Sequence, residues 1–299
     1  MNFRQLSTFC LVADLGSLSR AATAAGMAQS LVSRQIAQLE AEWGDRLFER
    51  TGRGMLLSDF GQRMLVQAKL VLEQVECLQG VASETAGALS GVVHIGVLPS
   101  MSQQLLPLLI ADIRAKAPAV RLHVTEGFSG HLDELLASGR LDMMLVNRYG
   151  PSALRGEDAI GTVETFLIGQ PGSLALLGKT VGFRELAGLP LVLPSMPNGL
   201  RSTLDQLSRR QGVDLQIVME VDSATAMKDV AKSGHAFTLL PLMAVREEVA
   251  AQRLAASQVV RPGIKRTIAL ALTTHRPLSK GARFVADRLR RMARNLLRA

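Results

Sequence analysis

Apolar residues recur at helical spacing along the first sixty positions and predict three helices in close succession. The first helix has one apolar stripe, formed by Leu6, Phe9, Cys10 and Ala13. Gly16 ends this helix, and Ser17 is placed to cap a second helix that begins at Leu18. Gly26 then provides a tight turn, and a third helix is predicted over residues 29–42.

The third predicted helix has an apolar side and a polar side. Val32, Ile36 and Leu39 point inward. The residues that must face away from the core are Gln29, Ser30, Ser33 and Arg34. A short helix, a glycine turn and a second helix with a hydrogen-bonding outer face form a helix-turn-helix, whose second helix enters the major groove. Glutamine can pair with adenine, and arginine with guanine or phosphate, so these four residues are predicted to contact DNA.

Two short apolar runs flank Thr51-Gly52-Arg53-Gly54 and predict a β-hairpin, the wing of a winged helix-turn-helix. Arg53 at its tip could enter a minor groove, and Arg50 at its base could contact a backbone phosphate. The alternative is that both are solvated arginines on a hairpin. Arg50 and Arg53 complete the predicted DNA-binding set.

The first sixty residues resemble the DNA-binding module of LysR-type transcriptional regulators. The matching residues are Phe9, Gly16-Ser17-Leu18, Ala21-Ala22, Gln29 to Ile36, Leu39-Glu40, Gly44, Leu47 to Arg50, Leu57-Ser58 and Gly61. The resemblance implies a motif over residues 18–37 with DNA contacts from Gln29, Ser33 and Arg34. Ala28 departs from the family pattern, which has a Ser or Thr capping the recognition helix, and Ala25 replaces a commonly larger apolar residue.

A long helix is predicted from its N-cap Ser58 to about Ala88. Its apolar residues alternate spacings of four and three, the seam of a coiled coil: Met64, Ala68, Val71, Val75, Leu78 and Ala82. Such a seam would pair two DNA-binding units on a palindromic operator. The alternative is a helix lying on its own domain. The resemblance implies a homodimer, often extended to a homotetramer by pairing of dimers, and RNA polymerase is expected as a further partner.

Beyond residue 90, continuous apolar runs alternate with helical patterns, which predicts an open α/β sheet. The first strands are expected at 92–97, 120–125 and 142–146, separated by helices over about 102–117 and from Ser129 to Gly139. The chain then leaves for a second unit, with strands near 190–193, 215–219 and 236–240, and returns through 267–272 to a last helix from about 280. Two α/β lobes joined by two crossovers are predicted.

This pattern resembles the periplasmic-binding-protein-like effector domain of the same family. The supporting segments are Ile95 to Ser100, Gly139 to Asp142 and Leu239 to Pro241, and within the family Glu126 to Leu132 and Leu193 to Arg201 look most like the nitrogen-assimilation-control group. The fold class is therefore α/β overall. The predicted domains are a winged helix-turn-helix over 1–58, a dimerising linker helix over 59–90, effector lobe 1 over 91–161 and 266–299, and effector lobe 2 over 162–265.

Ligands of open α/β sheets bind beyond the carboxyl ends of the strands. This rule nominates Ser100, Met101, Ser102, Phe128, Ser129 and Asn147 in lobe 1, and Ser195, Asn198, Ser223 and Thr238 in lobe 2. Several are hydroxyls at helix N-termini, where backbone N–H groups favour an anion. A carboxylate effector is therefore the hypothesis. The alternative is that each serine only caps its helix.

Composition narrows the function further. The chain of 299 residues is 47% hydrophobic and 20% charged, as in an ordered protein. Its net charge of +8 does not locate the DNA site, because residues 1–60 contain six arginines against six acidic residues. Cys10 and Cys77 suit a reducing compartment, and no cysteine follows residue 90, which excludes a disulfide switch there. Neither a signal peptide nor a membrane-spanning run is evident, so a cytoplasmic protein without membrane contact is expected.

The predicted function is sequence-specific transcriptional regulation controlled by a small-molecule effector. The five histidines lack metal-ligand spacing and no nucleophile or phosphate-loop motif occurs, so no catalytic residue, metal or cofactor is expected. One alternative is an effector-independent regulator, which a cleft filled by its own side chains would favour. A less favoured alternative is an enzyme on a binding-protein-like fold. A solute-binding transport component would have to be exported, and the first residues show no signal peptide for export.

Overall fold

The computed structural model of the chain describes residues 1–51, 54–83, 89–150, 156–176 and 178–298. The chain forms two compact units, Met1–Ala86 and Gly87–Ala299. The first unit contains α1 (Phe3–Leu15), α2 (Leu18–Ala25), α3 (Gln29–Trp43), β1 (Phe48–Thr51), β2 (Gly54–Leu57) and α4 (Asp59–Ser83). The three predicted helices and the antiparallel hairpin are confirmed.

The helix ends of the first unit follow from capping chemistry. Asn2 and Gln5 form a capping box at the start of α1. Ser17 accepts a hydrogen bond from the backbone N–H of Arg20, and Gly16 and Gly26 take the left-handed conformation that ends α1 and α2. The predicted cap and turns of this region are therefore confirmed.

The core of the first unit is built around Phe9, which is fully buried. Its ring lies edge-on to Trp43 at 6.1 Å and to Phe48 at 5.6 Å, so one side chain joins α1, α3 and the hairpin. Gly61 brings α4 against the hairpin, because a Cβ there would overlap the carbonyl oxygen of Leu47. These contacts fix the hairpin relative to α3.

The described residues of the second unit form three sheets. Its strands are β3 (Ser90–Val97), β4 (Ala119–Glu126), β5 (Met143–Arg148), β6 (Asp158–Glu164), β7 (Phe166–Gly169), β8 (Thr180–Gly182), β9 (Leu191–Leu193), β10 (Ile217–Glu220), β11 (Thr238–Leu240), β12 (Ala255–Val260) and β13 (Lys265–Leu272). Its helices are α5 (Pro99–Lys116), α6 (Ser129–Ala137), α7 (Gly199–Gln211), α8 (Ala224–Lys232), α9 (Arg246–Ala250) and α10 (Lys280–Arg298). The sequence patterns did not predict β6, β7, β8, β12, α7, α8 or α9.

Lobe 1 is the five-stranded sheet in the order β4-β3-β5-β13-β6. The strands β4, β3 and β5 are parallel, while β13 runs antiparallel to β5 and β6. Strand β3 is buried from Val93 to Val97. Its side chains Val93, Ile95 and Val97 pack into the core with α5 and α10, and Gly96 on the other face lies against Leu132 of α6.

Lobe 2 contains the four-stranded sheet β11-β7-β12-β8 and the parallel pair β10-β9. The chain passes from lobe 1 to lobe 2 at Thr165, between β6 and β7, and returns between β12 and β13. The predicted first boundary, after residue 161, is three residues too early, because β6 pairs with β13 as far as Glu164 opposite Lys265. None of the helices in the described part of the chain is long and apolar enough to cross a membrane.

Candidate DNA-binding surface and interlobe cleft

The outer side of α3 is open to solvent. Gln29, Ser30 and Arg34 are exposed and Ser33 is partly buried, while the apolar residues of the other side are buried. The predicted amphipathic arrangement is present, and DNA contact by these residues stays a prediction. The side chain of Arg50 and the whole of Arg53, at the tip of the hairpin, lie outside the described residues.

Polar contacts between α1 and α3, one of them buried, fix the rotation of α3, and the sequence patterns did not predict them. The Thr8 hydroxyl of α1 donates to Oε1 of Gln35 at 2.6 Å in the interior, and Gln5 donates to Gln38 at 3.0 Å nearby. A buried hydrogen bond between two helices keeps one helix from sliding or rotating against the other, because breaking the bond would leave buried polar atoms without partners. The polar side of α3 is thereby held in one orientation.

The N-terminus of α3 has no side-chain cap, because Ala28 occupies the N-cap position with an extended backbone. The Ser19 hydroxyl of α2 donates to Oε1 of Gln29 at 3.0 Å. This bond orients the side chain that is predicted to contact a base, but it leaves the first N–H groups of α3 without a side-chain acceptor.

Restoring the cap is expected to stabilise the first unit. Ala28→Ser places a hydroxyl where it can accept from the free N–H groups, which is worth about 0.5–2 kcal/mol. Urea unfolding followed by the fluorescence of Trp43, the only tryptophan in the chain, should show a higher midpoint. Ala41→Ser, at an exposed interior position of the same helix, is the control and should be neutral or mildly destabilising. Equal shifts in both variants would refute the role of the cap.

The predicted seam of α4 is divided between two environments. Ala68 is buried in the core of the first unit, with Met64 packed beside it, so these two residues serve the chain's own fold and their assignment to a dimer seam alone is corrected. Val71 and Leu78 are 40% and 69% exposed, and Val75 is half-buried. The side chain of Ala82 lies outside the described residues. One apolar stripe thus begins on the unit's own core and continues uncovered.

Four helix N-termini meet in the cleft between the lobes. They are those of α5 and α6 from lobe 1 and of α7 and α8 from lobe 2. An inner cavity of about 40 Å³ lies among them and adjoins two wider parts of the cleft, of about 270 and 520 Å³. Helix α5 begins at Pro99 and not near 102, so the predicted segment after β3 is already the first helical turn.

Seven of the ten predicted effector residues line this cleft. Ser100, Phe128, Ser129, Asn147 and Asn198 line the inner cavity, and Ser102 and Ser223 line the part of about 270 Å³. Most of their polar groups already cap or brace the structure. Asn198 and Ser223 cap α7 and α8, and the Ser129 hydroxyl accepts from the backbone N–H of Asn147 at 2.9 Å.

Two predicted effector residues, Met101 and Thr238, are corrected. Met101 is fully buried in the lobe 1 core, because the earlier start of α5 turns it toward the sheet. Thr238 is fully buried in β11 and donates to the carbonyl oxygen of Val192 at 2.9 Å, so its hydroxyl is already used. Ser195 is half-buried and does not line the cavities described above, and its backbone N–H donates to Asp222, so its role in effector binding stays a prediction.

The sequence patterns missed Tyr149 and Arg266, which both line the inner cavity. Arg266 lies in β13 and is only 4% exposed. The predicted strand began at 267, one residue too late to include it. A strand from 265 would have placed Arg266 on the same inward face as Ile268 and Leu270, and an arginine in such a position is the signal that could have identified it.

Two titratable groups of the described residues, Glu248 and Cys10, have shifted pKa values that burial helps to set. Burial opposes ionisation of Glu248, but its hydrogen bond with Lys228 at the edge of the cleft outweighs this and lowers the pKa of Glu248 below its usual value. In the first unit, burial raises the pKa of the Cys10 thiol to about 11, so it stays protonated and unreactive at neutral pH. The side chain of Cys77 lies outside the described residues.

Comparison with known proteins assigns both units. The family described as "Bacterial regulatory helix-turn-helix protein, lysR family" matches residues 3–62, and the "LysR substrate binding domain" matches residues 86–294. The chain belongs to the LysR family. It is a DNA-binding transcriptional regulator with an effector-binding domain, as the resemblance implied.

LysR-family relatives match almost the whole chain. The nitrogen assimilation regulatory protein nac of Escherichia coli K12 is 30% identical over 291 residues, covering 97% of this chain and 94% of that protein. The transcriptional dual regulator OxyR of the same strain is 28% identical over 297 residues, covering 97% of this chain and 95% of OxyR. The predicted likeness to the nitrogen-assimilation-control group is confirmed.

Solved LysR-family structures share the fold. The crystal structure of CbnR has a TM-score of 0.73 with this chain at 21% identity and covers 99% of both chains. Full-length CbnR in complex with its target DNA also has a TM-score of 0.73, at 22% identity, over 98% of this chain and all of that one. The predicted α/β class with a winged helix-turn-helix and a two-lobed effector domain is confirmed.

Proposed function

We propose that this LysR-family regulator binds double-stranded operator DNA as a homodimer through the outer side of α3. The single observation that supports this is the exposed polar side formed by Gln29, Ser30 and Arg34 on a helix whose opposite side is buried. Such a helix can enter a major groove without disturbing its own core. The arginines of the hairpin, Arg50 and Arg53, are proposed to contact the adjacent backbone and minor groove.

Substituting Arg34 is expected to weaken DNA binding. Arg34→Ala removes one phosphate or guanine interaction per protomer, and each interaction lost costs about 1–3 kcal/mol, or roughly 5- to 150-fold in Kd for each half-site. If the arginine binds a phosphate, the dependence of log Kd on log salt becomes shallower by about one for each phosphate that the variant no longer neutralises. Fluorescence anisotropy on a duplex from upstream of the protein's own gene, over a range of salt, measures both quantities.

The matched control is Arg283→Ala, which removes an exposed arginine from the second unit. It changes the net charge equally and should leave the salt slope as in the wild type. If Arg34→Ala matches the control in both affinity and slope, α3 is not the DNA-binding helix.

Dimerisation is proposed through the uncovered part of the α4 stripe, around Val71 and Leu78. Pairing two units there would deliver two copies of α3 to two half-sites of a symmetric operator. A pairing of dimers into a homotetramer and contact with RNA polymerase remain part of the proposal on family grounds. The protein is proposed to act in the cytoplasm and without catalysis, and the described residues contain no group of side chains arranged to hold a metal ion.

Control by a small molecule in the interlobe cleft is the favoured mechanism. An effector that binds both lobes would shift their closure and so alter how the paired DNA-binding units sit on their sites, with a typical coupling of about 1–3 kcal/mol. The peroxide response named for some relatives is not carried over, because no cysteine follows residue 90 and a disulfide switch in the second unit is impossible.

Effector-independent regulation is the second candidate. The inner cavity of about 40 Å³ is far below the roughly 300–1,000 Å³ of ordinary ligand pockets, and Tyr149 and Phe128 line it. Thermal unfolding with and without candidate carboxylic acids separates the two candidates. A ligand that binds the folded protein at 100 times its Kd adds about 2.7 kcal/mol of stability, whereas an effector-independent protein shows no shift.

A further inference from the structure

Arg266 is a buried cation whose charge is not neutralised within the described part of the chain. It is 4% exposed, and the described residues place no carboxylate within ion-pair distance of it. The neighbouring arginine, in contrast, is neutralised by ion pairs. Arg148, on the strand beside it, pairs with Asp133 at 2.6 Å and with Glu157 at 2.5 Å. An unpaired buried charge is strongly unfavourable, so we expect an anion from outside the chain to bind Arg266.

The free hydrogen-bond donors of Arg266 lie on one edge of its guanidinium group. Nη1 donates to the hydroxyl of Tyr149 at 3.1 Å, whereas Nε and Nη2 are buried and without a partner among the described residues. Nε and Nη2 together form the edge that binds a carboxylate through two parallel hydrogen bonds. Tyr149 therefore contacts Nη1, and the edge formed by Nε and Nη2 has no partner among the described residues.

An unpaired acceptor lies on the same face of the sheet. Asn147 faces Ile268 across β5 and β13, and Arg266 is two residues from Ile268, so Asn147 and Arg266 share a face and both line the inner cavity. The Oδ1 atom of Asn147 is buried without a hydrogen-bond donor among the described residues. A ligand that satisfies both residues presents an anionic acceptor and, beside it, a donor.

The surroundings favour an anion of limited size. The N-termini of α5, α6, α7 and α8 line the same cavity and add partial positive charge to that of Arg266. At about 10–15 Å³ per water, a cavity of about 40 Å³ holds about three waters, or the three heavy atoms of one carboxylate. The rest of a larger ligand would lie in the adjoining parts of the cleft.

We propose that Arg266 is the receptor for the carboxylate of a 2-hydroxy acid, with Asn147 accepting from the 2-hydroxyl group and Tyr149 holding the guanidinium edge toward the ligand. This inference rests on the proposed effector site and specifies the chemistry that the site recognises. The ligand bridges the lobes, because Arg266 belongs to lobe 1 and the N-termini of α7 and α8 belong to lobe 2.

The single tyrosine of the chain makes the test direct. Full-length protein labelled with 3-fluorotyrosine gives one fluorine resonance, from Tyr149 beside Arg266. Titration with sodium glycolate should shift this resonance saturably, sodium acetate should bind more weakly because it lacks the hydroxyl donor, and sodium chloride and sodium sulfate at matched ionic strength should leave it in place. A response to chloride or sulfate alone, or to none of the four salts, overturns the proposal.

Two variants examine the assigned residues. Asn147→Asp supplies an internal carboxylate to the free edge of Arg266, so it should raise the melting temperature in carboxylate-free buffer by about 2–4 °C and abolish the response to glycolate. Arg266→Gln should also abolish the response. Arg246→Gln, which removes an exposed arginine of lobe 2, is the control and should titrate like the wild type. Glycolate responses in both Asn147→Asp and Arg266→Gln equal to the wild-type response would overturn the assignment.

DNA binding by the same wild-type sample distinguishes this inference from the proposed function. If the protein binds its upstream DNA but its fluorine resonance ignores glycolate, the Arg266 site is refuted and the regulator stands. If the resonance responds to glycolate and no DNA is bound, the Arg266 site stands and the proposed DNA binding is refuted.

Discussion

Replacing Phe9 with alanine is expected to lower the free energy of unfolding of the first unit by about 3–5 kcal/mol. The ring is fully buried and touches both Trp43 and Phe48, so the cavity left behind opens at the junction of α1, α3 and the hairpin. A domain of this size is typically stable by only about 5–15 kcal/mol, so the decrease is a large fraction of the total. Because α1 also orients α3 through Thr8 and Gln35, DNA binding should fail with it.

Phe3→Ala is the matched control, since Phe3 lies on the same helix and is 57% exposed. It should change stability by no more than about 0.5 kcal/mol. The fluorescence of Trp43 in urea reports the first unit alone, because the second unit contains no tryptophan. If the two phenylalanine variants unfold at the same urea concentration, the packing described around Phe9 is wrong.

The first unit could be predicted well because its signals are local. Gly16, Ser17 and Gly26 determine helix ends within a few residues of themselves, and the inward spacing of Val32, Ile36 and Leu39 fixes which side of α3 is polar. The interior polar pair of Thr8 and Gln35 could not be predicted, because it joins residues 27 apart whose contact exists only once α1 and α3 have packed.

The sequence predicted where the cleft lies, but it did not predict all of the side chains that line it. The rule that ligands lie beyond strand ends placed Ser100 and Ser129 in the cleft, because it depends only on topology. Asn147 also lines the cleft, but it lies inside β5, which extends to Arg148. Effector binding by all three residues stays a prediction. It also nominated Met101 and Thr238, since distance from a strand end does not say which way a side chain turns. Arg266 was missed because it enters the cleft from the returning strand β13, far along the chain from the segments that the rule considers.

The predicted seam of α4 shows how one pattern can serve two purposes. Apolar spacings of four and three indicate a buried stripe, but they do not say whether the cover is the same chain or another. The structure divides the stripe: Met64 and Ala68 face the unit's own core, and the stripe continues uncovered at Val71 and Leu78. The interpretation as a helix lying on its own domain therefore applies to the first half of the stripe, and pairing through the second half stays a prediction.

The double substitution Val71→Glu with Leu78→Glu is expected to convert the proposed dimer to monomers and to weaken operator binding by about 10²–10⁴-fold. Two carboxylates would have to be buried in the apolar interface, which is strongly unfavourable. A monomer then binds one half-site without the effective concentration that tethers the second unit to its own half-site. Both residues are exposed in the first unit, so the unit itself should fold as before.

Val66→Glu is the control, because Val66 is 53% exposed but lies roughly 120–140° around the helix from Val71 and Leu78. Sedimentation equilibrium gives the oligomeric state, fluorescence anisotropy on the upstream duplex gives the affinity, and Trp43 fluorescence in urea checks the fold. The double variant should sediment as a monomer with an unchanged urea midpoint, and Val66→Glu should match the wild type in all three. If the double variant remains dimeric, α4 does not pair the chains. If it is monomeric but binds the operator as tightly as the wild type, pairing adds nothing to DNA affinity.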